Sequence, residues 1–139
     1  LASLVKVGGL EAWALWDTGS TTTGITPAFA QVAKIEVDQL VDPHVLQLGT
    51  VGSRSFINYG ADVNVDLPGF RGKTYVDVAN FDRYDMIIGT PFMRKLGVHL
   101  DFEKNEIVVN GVAHPALRLK EGDLDSRVRR WRTTEKRQD

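Results

Sequence analysis

Ala14-Leu15-Trp16-Asp17-Thr18-Gly19-Ser20 is the stretch on which the reading of this chain turns. An apolar run leads straight into a carboxylate, and Asp-Thr-Gly occurs once in the 139 residues. A carboxylate at the end of a buried strand is a costly placement, because a buried charge loses several kcal/mol unless it is paired or hydrogen-bonded. Threonine and glycine suit the turn that follows: a hydroxyl that can bind backbone, and a residue without Cβ where chains approach closely. Taken alone, the triplet reads equally well as an Asx-type turn joining two strands. Its surroundings decide.

Outward from this stretch the pattern is one of short strands. Leu4 to Val7, Gly8-Gly9 and Leu10 to Trp16 read as a β-hairpin whose second arm delivers Asp17, the glycine pair supplying the positive φ values of a two-residue turn. Thr26-Pro27 reads as an N-cap with proline at the first helical position, opening a short helix over Ala28 to Lys34. Residues 36–44, polar and containing Pro43, read as loop. Val45 to Leu48 and Ser55 to Ile57 read as hairpin arms around Gly49-Thr50-Val51-Gly52-Ser53-Arg54. The second arm continues to Leu67 with alternation at Ala61, Val63, Val65 and Leu67, and Pro68-Gly69 marks a turn before a strand over Thr74 to Ala79. Asp85 to Gly89 is a short apolar strand. Thr90-Pro91 repeats the cap-plus-proline signature, Phe92 to Leu96 form a helix, and Gly97 stops it. Val98 to Phe102 and Glu106 to Asn110 read as a last hairpin. Many short strands with little helix predict an all-β, closed barrel-like domain.

Three features in order form a set: a strand ending in Asp17-Thr18-Gly19-Ser20, a glycine-tipped hairpin, and an Ile87-Ile88-Gly89 strand running into a short helix. Over about residues 3–112 the chain resembles the retropepsin family, the retroviral-type aspartic proteases. The stretch Tyr84 to Met93, with Leu100-Asp101-Phe102 and Ile107-Val108-Val109, is most similar to the protease of gypsy-type LTR retrotransposons, with a fungal element as a candidate source. The resemblance implies an acid-protease barrel with a flap, working as a homodimer whose site lies at the two-fold interface. It implies that Asp17 is the catalytic carboxylate and that the Thr18 hydroxyl bonds across the axis to the partner's backbone. By the same resemblance Gly19 lets the two loops approach, Gly49 to Arg54 form the substrate-binding flap tip, and Ile87, Ile88 and Gly89 support the loop from behind. The brace of viral enzymes, an acidic residue soon after the triplet and an arginine after the Ile-Gly strand, is missing: Thr21, Thr22 and Thr90 stand there.

The chemistry argues separately for two copies. Peptide hydrolysis by this route needs one carboxylate to take a proton from water and another to protonate the carbonyl oxygen. Two carboxylates ~4 Å apart repel by about 4 kcal/mol if both are charged, at an effective dielectric of ~20. They must therefore share one proton. A chain with one Asp-Thr-Gly has to borrow the second from a copy of itself. A Ser20 hydroxyl donating to ionised Asp17 would hold that carboxylate's pKa down and set an optimum below about pH 6. The expected substrate is an extended peptide or polyprotein, processed by the element that encodes the enzyme. The alternative is a catalytically silent, domesticated copy of the fold acting as a dimerising interaction module.

Bulk composition agrees with one domain. A chain of about 150 residues buries roughly 68–70% of its unfolded surface, and 42% hydrophobic with 25% charged residues is ordinary for a globular protein. There is no cysteine, hence no disulfide framework and no thiolate zinc site, which fits a reducing, intracellular, cytoplasmic or particle-associated setting. His44, His99 and His114 lack ligand spacing, so no metal and no cofactor is expected. No apolar run is long enough to cross a bilayer. Residues 1–115, the expected protease domain, carry 9 basic and 13 acidic groups, a balance that does not favour nucleic acid. Residues 116–139 reverse it, with 8 basic and 5 acidic groups. This charged tail or linker is the one nucleic-acid candidate, and Leu124, Val128 and Trp131 at helical spacing leave a brief amphipathic helix open there.

Overall fold

The computed structural model describes residues 1–47 and 54–118. Strands β1 (Ala2–Val7) and β2 (Leu10–Trp16) make the expected hairpin. Gly8 and Gly9 join them with φ of +59° and +84°, values that a side chain would strain. Val5, Val7, Ala12, Ala14 and Trp16 turn inward.

Strands β3 (Gly24–Ile25), β5 (Arg54–Leu67), β6 (Phe70–Val78) and β7 (Met86–Ile88) complete the ring. Neighbours run β1-β2-β7-β3-β6-β5, and β5 pairs back onto β1 with Lys6 opposite Asp66 and Val7 opposite Val65. The result is a closed six-stranded barrel. Pairing is mixed: β2 runs parallel to β7 and β3 parallel to β6, while the other pairs are antiparallel. Closure satisfies backbone groups that an open sheet would leave unpaired. The alternation read on the second hairpin arm holds, since Ala61, Val63, Val65 and Leu67 are all buried.

Two short helices and a small sheet cover the barrel. Helix α1 (Pro27–Val32) is capped as expected, with the Phe29 amide donating to the Thr26 hydroxyl at 3.1 Å, and it sinks Phe29 into the core. Helix α2 (Thr90–Lys95) buries Phe92 and Met93. Strands β8 (His99–Asp101), β9 (Glu106–Val109) and β10 (Val112–Pro115) form an antiparallel meander that adds Ile107 and Val109 to the same core. Full burial of such side chains contributes ~1.5–3 kcal/mol each. The Leu117 amide, donating to Ala2 O at 2.7 Å, ties the end of this unit to the first strand.

Two sequence expectations need correction, and two strands went unread. Residues 36–44 are not a loop, because strand β4 (Asp38–Gln47) runs through most of them. Among the described residues it pairs only with β5, and it shifts register between Gln39 and His44. An edge strand with a bulge accommodates Pro43, which a central strand could not. Thr90 is not the cap of α2: Gly89 holds that position without a side-chain bond, and Thr90 is the first helical residue. Strands β3 and β10 were not anticipated, one having two residues and the other only four. Of the expected hairpin tip, residues 49–53 lie outside the described residues and Arg54 opens β5. The charged tail from residue 119 onward also lies outside them.

Candidate active site

Asp17 stands where β2 ends, and its position is fixed from beside and behind. Register places Leu15 opposite Ile87 and Trp16 opposite Ile88 across the parallel β2–β7 pair. The Asp17 amide continues the ladder, donating to Ile88 O at 2.9 Å. Beyond it the chain turns tightly. The Gly19 amide donates to Asp17 Oδ1 at 2.9 Å, and the Ser20 amide donates to Asp17 O at 3.1 Å. This is the Asx geometry that Asp and Gly favour. Asp17 is left half-buried, Thr18 and Gly19 are exposed, and Ser20 is buried. The turn therefore presents its carboxylate, threonine and glycine on one accessible tip.

Behind the turn, Ile88 is fully buried and Ile87 nearly so. Gly89 passes so close that an added Cβ would lie 2.4 Å from Thr22 O and 2.9 Å from Ser20 O. Only glycine fits there. Its amide donates to the Thr23 hydroxyl at 3.0 Å, and the Thr90 amide donates to Ser20 O at 3.0 Å. The Ile87-Ile88-Gly89 strand and the Asp17 loop thus pack against each other.

Trp16 belongs to the core, with its indole N–H donating to Ser3 Oγ at 2.9 Å. The same hydroxyl lies 3.0 Å from His114 Nε2 on β10. Burial pushes the His114 pKa below its ordinary value. Trp13 is buried in the sheet and stacks on Tyr84, while its amide donates to the wholly buried Asp85 at 2.8 Å.

One expected interaction is absent. The Ser20 hydroxyl does not donate to Asp17. It donates to Thr22 O at 2.7 Å and lies 3.4 Å from the Thr22 amide. A hydroxyl carries one hydrogen, and here it closes the turn. The acid-shifting role expected of Ser20 loses its basis.

Two site-adjacent groups escaped the sequence reading. Thr22 donates its hydroxyl to Asp77 Oδ2 on β6, and Tyr75 donates to Asp77 Oδ1 at 2.7 Å. The available signal was an acidic residue in the middle of Tyr75-Val76-Asp77-Val78-Ala79, a strand otherwise suited to burial. Thr22, one of the positions where an acidic brace is lacking, is thus met by a carboxylate from another strand.

No family model matches the chain, and no curated protein does either. Solved structures do resemble it. The retroviral protease-like domain of Ddi1 from Leishmania major superposes with a TM-score of 0.63 at 14% identity, over 85% of this chain and 90% of that one. EIAV protease in complex with the inhibitor HBY-793 superposes with a TM-score of 0.56 at 23% identity, over 73% of this chain and 92% of that one. At these identities the likeness is one of fold. The protein has the closed barrel of retropepsins and retroviral protease-like domains.

Proposed function

We propose that this chain is an aspartic endopeptidase, active as a homodimer that joins two Asp17 loops. The observation carrying the proposal is the tip itself. Asp17 is presented half-buried on an exposed turn and anchored to Ile88 and Gly89, in a barrel whose solved counterparts include a retroviral protease. The substrate is an extended polypeptide, bound as a strand between the barrel and the hairpin of β4 and β5. A retroelement polyprotein is the natural candidate, and a gypsy-type element the natural source.

In the dimer one Asp17 is ionised and the other protonated, since like charges at this range cannot both persist. The ionised carboxylate takes a proton from water as the water oxygen attacks the peptide carbonyl carbon. The protonated one gives its proton to the carbonyl oxygen. Collapse of the tetrahedral diol transfers a proton to the leaving nitrogen and breaks the C–N bond. The Asx bond from the Gly19 amide fixes one Asp17 oxygen. In this reading Thr18, exposed on the turn, bonds the partner's loop, and Gly19 lets the two tips close. Water and two carboxylates supply the whole reaction, so no cofactor is required.

The test is cleavage of a mixed peptide library by wild type and Asp17→Asn. Cleavage by wild type that disappears in a folded variant supports the proposal. A folded, dimeric wild type that cleaves nothing favours the interaction-module reading.

A further inference from the structure

We propose that Asp77 is a positioning residue for the Asp17 loop, acting through the hydroxyl of Thr22. The inference rests on the aspartic-protease reading for its kinetic consequence, but its geometry stands apart from it.

Asp77 lies on β6, in register with Gly24 on β3 and Gly60 on β5, and is 1% exposed. A buried carboxylate is stable only with donors aimed at it. Two hydroxyls supply part of that need, one on each oxygen: Tyr75 from the same face of β6, and Thr22 from the loop that begins at Asp17. Bonds to a charged acceptor are the stronger kind. The other acceptor near the Thr22 hydroxyl, Thr23 O, is 3.4 Å away, so Asp77 takes the hydrogen.

The surroundings are shaped for this arrangement. Tyr75 crosses Gly60, where an added Cβ would sit 2.3 Å from the phenol oxygen. Gly60 therefore opens the path by which Tyr75 reaches Asp77. The Tyr75 phenol is pushed well above its ordinary pKa by burial and by the bond to Asp77, so it remains a donor at any physiological pH. Below Thr22, the Asp77 amide donates to Thr23 O at 2.9 Å. Above it, Thr22 O receives the Ser20 hydroxyl. Thr22 is thus one link between the catalytic turn and the barrel wall, beside the bonds of Asp17 to Ile88 and of Thr90 to Ser20, and the Asp77 carboxylate sets its rotamer. The role is one of aim: loosening Thr22 frees the Ser20 end of the turn and lets Asp17 drift from its partner.

Asp77→Asn could fail to fold, so the experiment uses Thr22→Val, which keeps shape but loses the hydroxyl, and Thr22→Ser, which restores it. Amide hydrogen exchange is read first, because it needs no catalysis. Thr22→Val should speed exchange at the Gly19 and Ser20 amides about tenfold, with β1 and β2 unchanged, and Thr22→Ser should reverse this. Unchanged exchange at both amides, or acceleration spread evenly over the barrel, overturns the proposal. In peptide cleavage, Thr22→Val should lower kcat about tenfold with KM held, and Thr22→Ser should recover it. Full kcat in Thr22→Val also overturns the proposal. A wild type without cleavage counts against the protease reading alone, and exchange then decides the role of Asp77.

Discussion

The amide of Asp17 donates to the carbonyl of Ile88 at 2.9 Å, which makes the candidate catalytic residue the last rung of the parallel β2–β7 ladder. Two motifs far apart in sequence are therefore one structural unit. The position of the carboxylate depends on a strand that carries no reactive group.

Gly89 is the point where that unit tolerates least change. A methyl group there would press on backbone, Thr22 O at 2.4 Å and Thr22 C at 2.8 Å, which cannot swing aside as a side chain would. Gly89→Ala should cost about 3 kcal/mol, the upper range for overpacking. Gly9, where an added Cβ meets nothing within 4 Å, is the comparison: Gly9→Ala should cost only about 1–2 kcal/mol, from its positive φ. Urea denaturation of the two variants checks the order.

Ser20→Ala should leave the pH dependence of cleavage in place, because the hydroxyl closes on Thr22 rather than on Asp17. It should instead lower stability by about 1 kcal/mol, as for a lost buried hydrogen bond. A pH profile displaced by a unit or more would restore the direct role expected from sequence.

His114 should make the fold sensitive to acid. Burial lowers its folded-state pKa below the ordinary 6.5, so the unfolded chain binds the proton first. Its contribution to stability is therefore complete above about pH 6.5 and is lost as pH falls through the folded-state pKa. Protonation would also oblige Ser3 Oγ to accept from both Trp16 and His114. The stability advantage of wild type over His114→Gln should be greatest above pH 6.5 and shrink toward pH 5. An advantage that stays constant over that range contradicts this role.

Much of the barrel was legible because its signals are local. Gly8-Gly9 forces a turn, Thr26-Pro27 a helix start, and Ala61 to Leu67 an alternating strand, and each behaves as its own chemistry dictates. The failures share a cause. Strand β4 forms because β5 offers a partner and a bulge absorbs Pro43, neither of which residues 36–44 display. Strand β3 has two residues and exists only between β6 and β7. At the site, Asp17 and Gly89 stood out because a carboxylate after an apolar run and a glycine after an apolar strand are locally odd. Asp77 was equally odd within its strand, but its partner Thr22 is brought to it only by closure of the barrel. The direction of the Ser20 hydroxyl was a choice between two near acceptors, and composition cannot make that choice.

The most direct test of the central claim is a mixing titration. Wild type at a fixed concentration well above the dimer dissociation constant is incubated with increasing amounts of Asp17→Asn until subunits have exchanged, and peptide cleavage is followed. If each site needs one Asp17 from each of two chains, mixed dimers are inactive, and an equimolar addition should reduce activity to about half by mass action. Cleavage that stays constant as Asp17→Asn is added would mean that a single chain holds a complete site, and the account would be wrong.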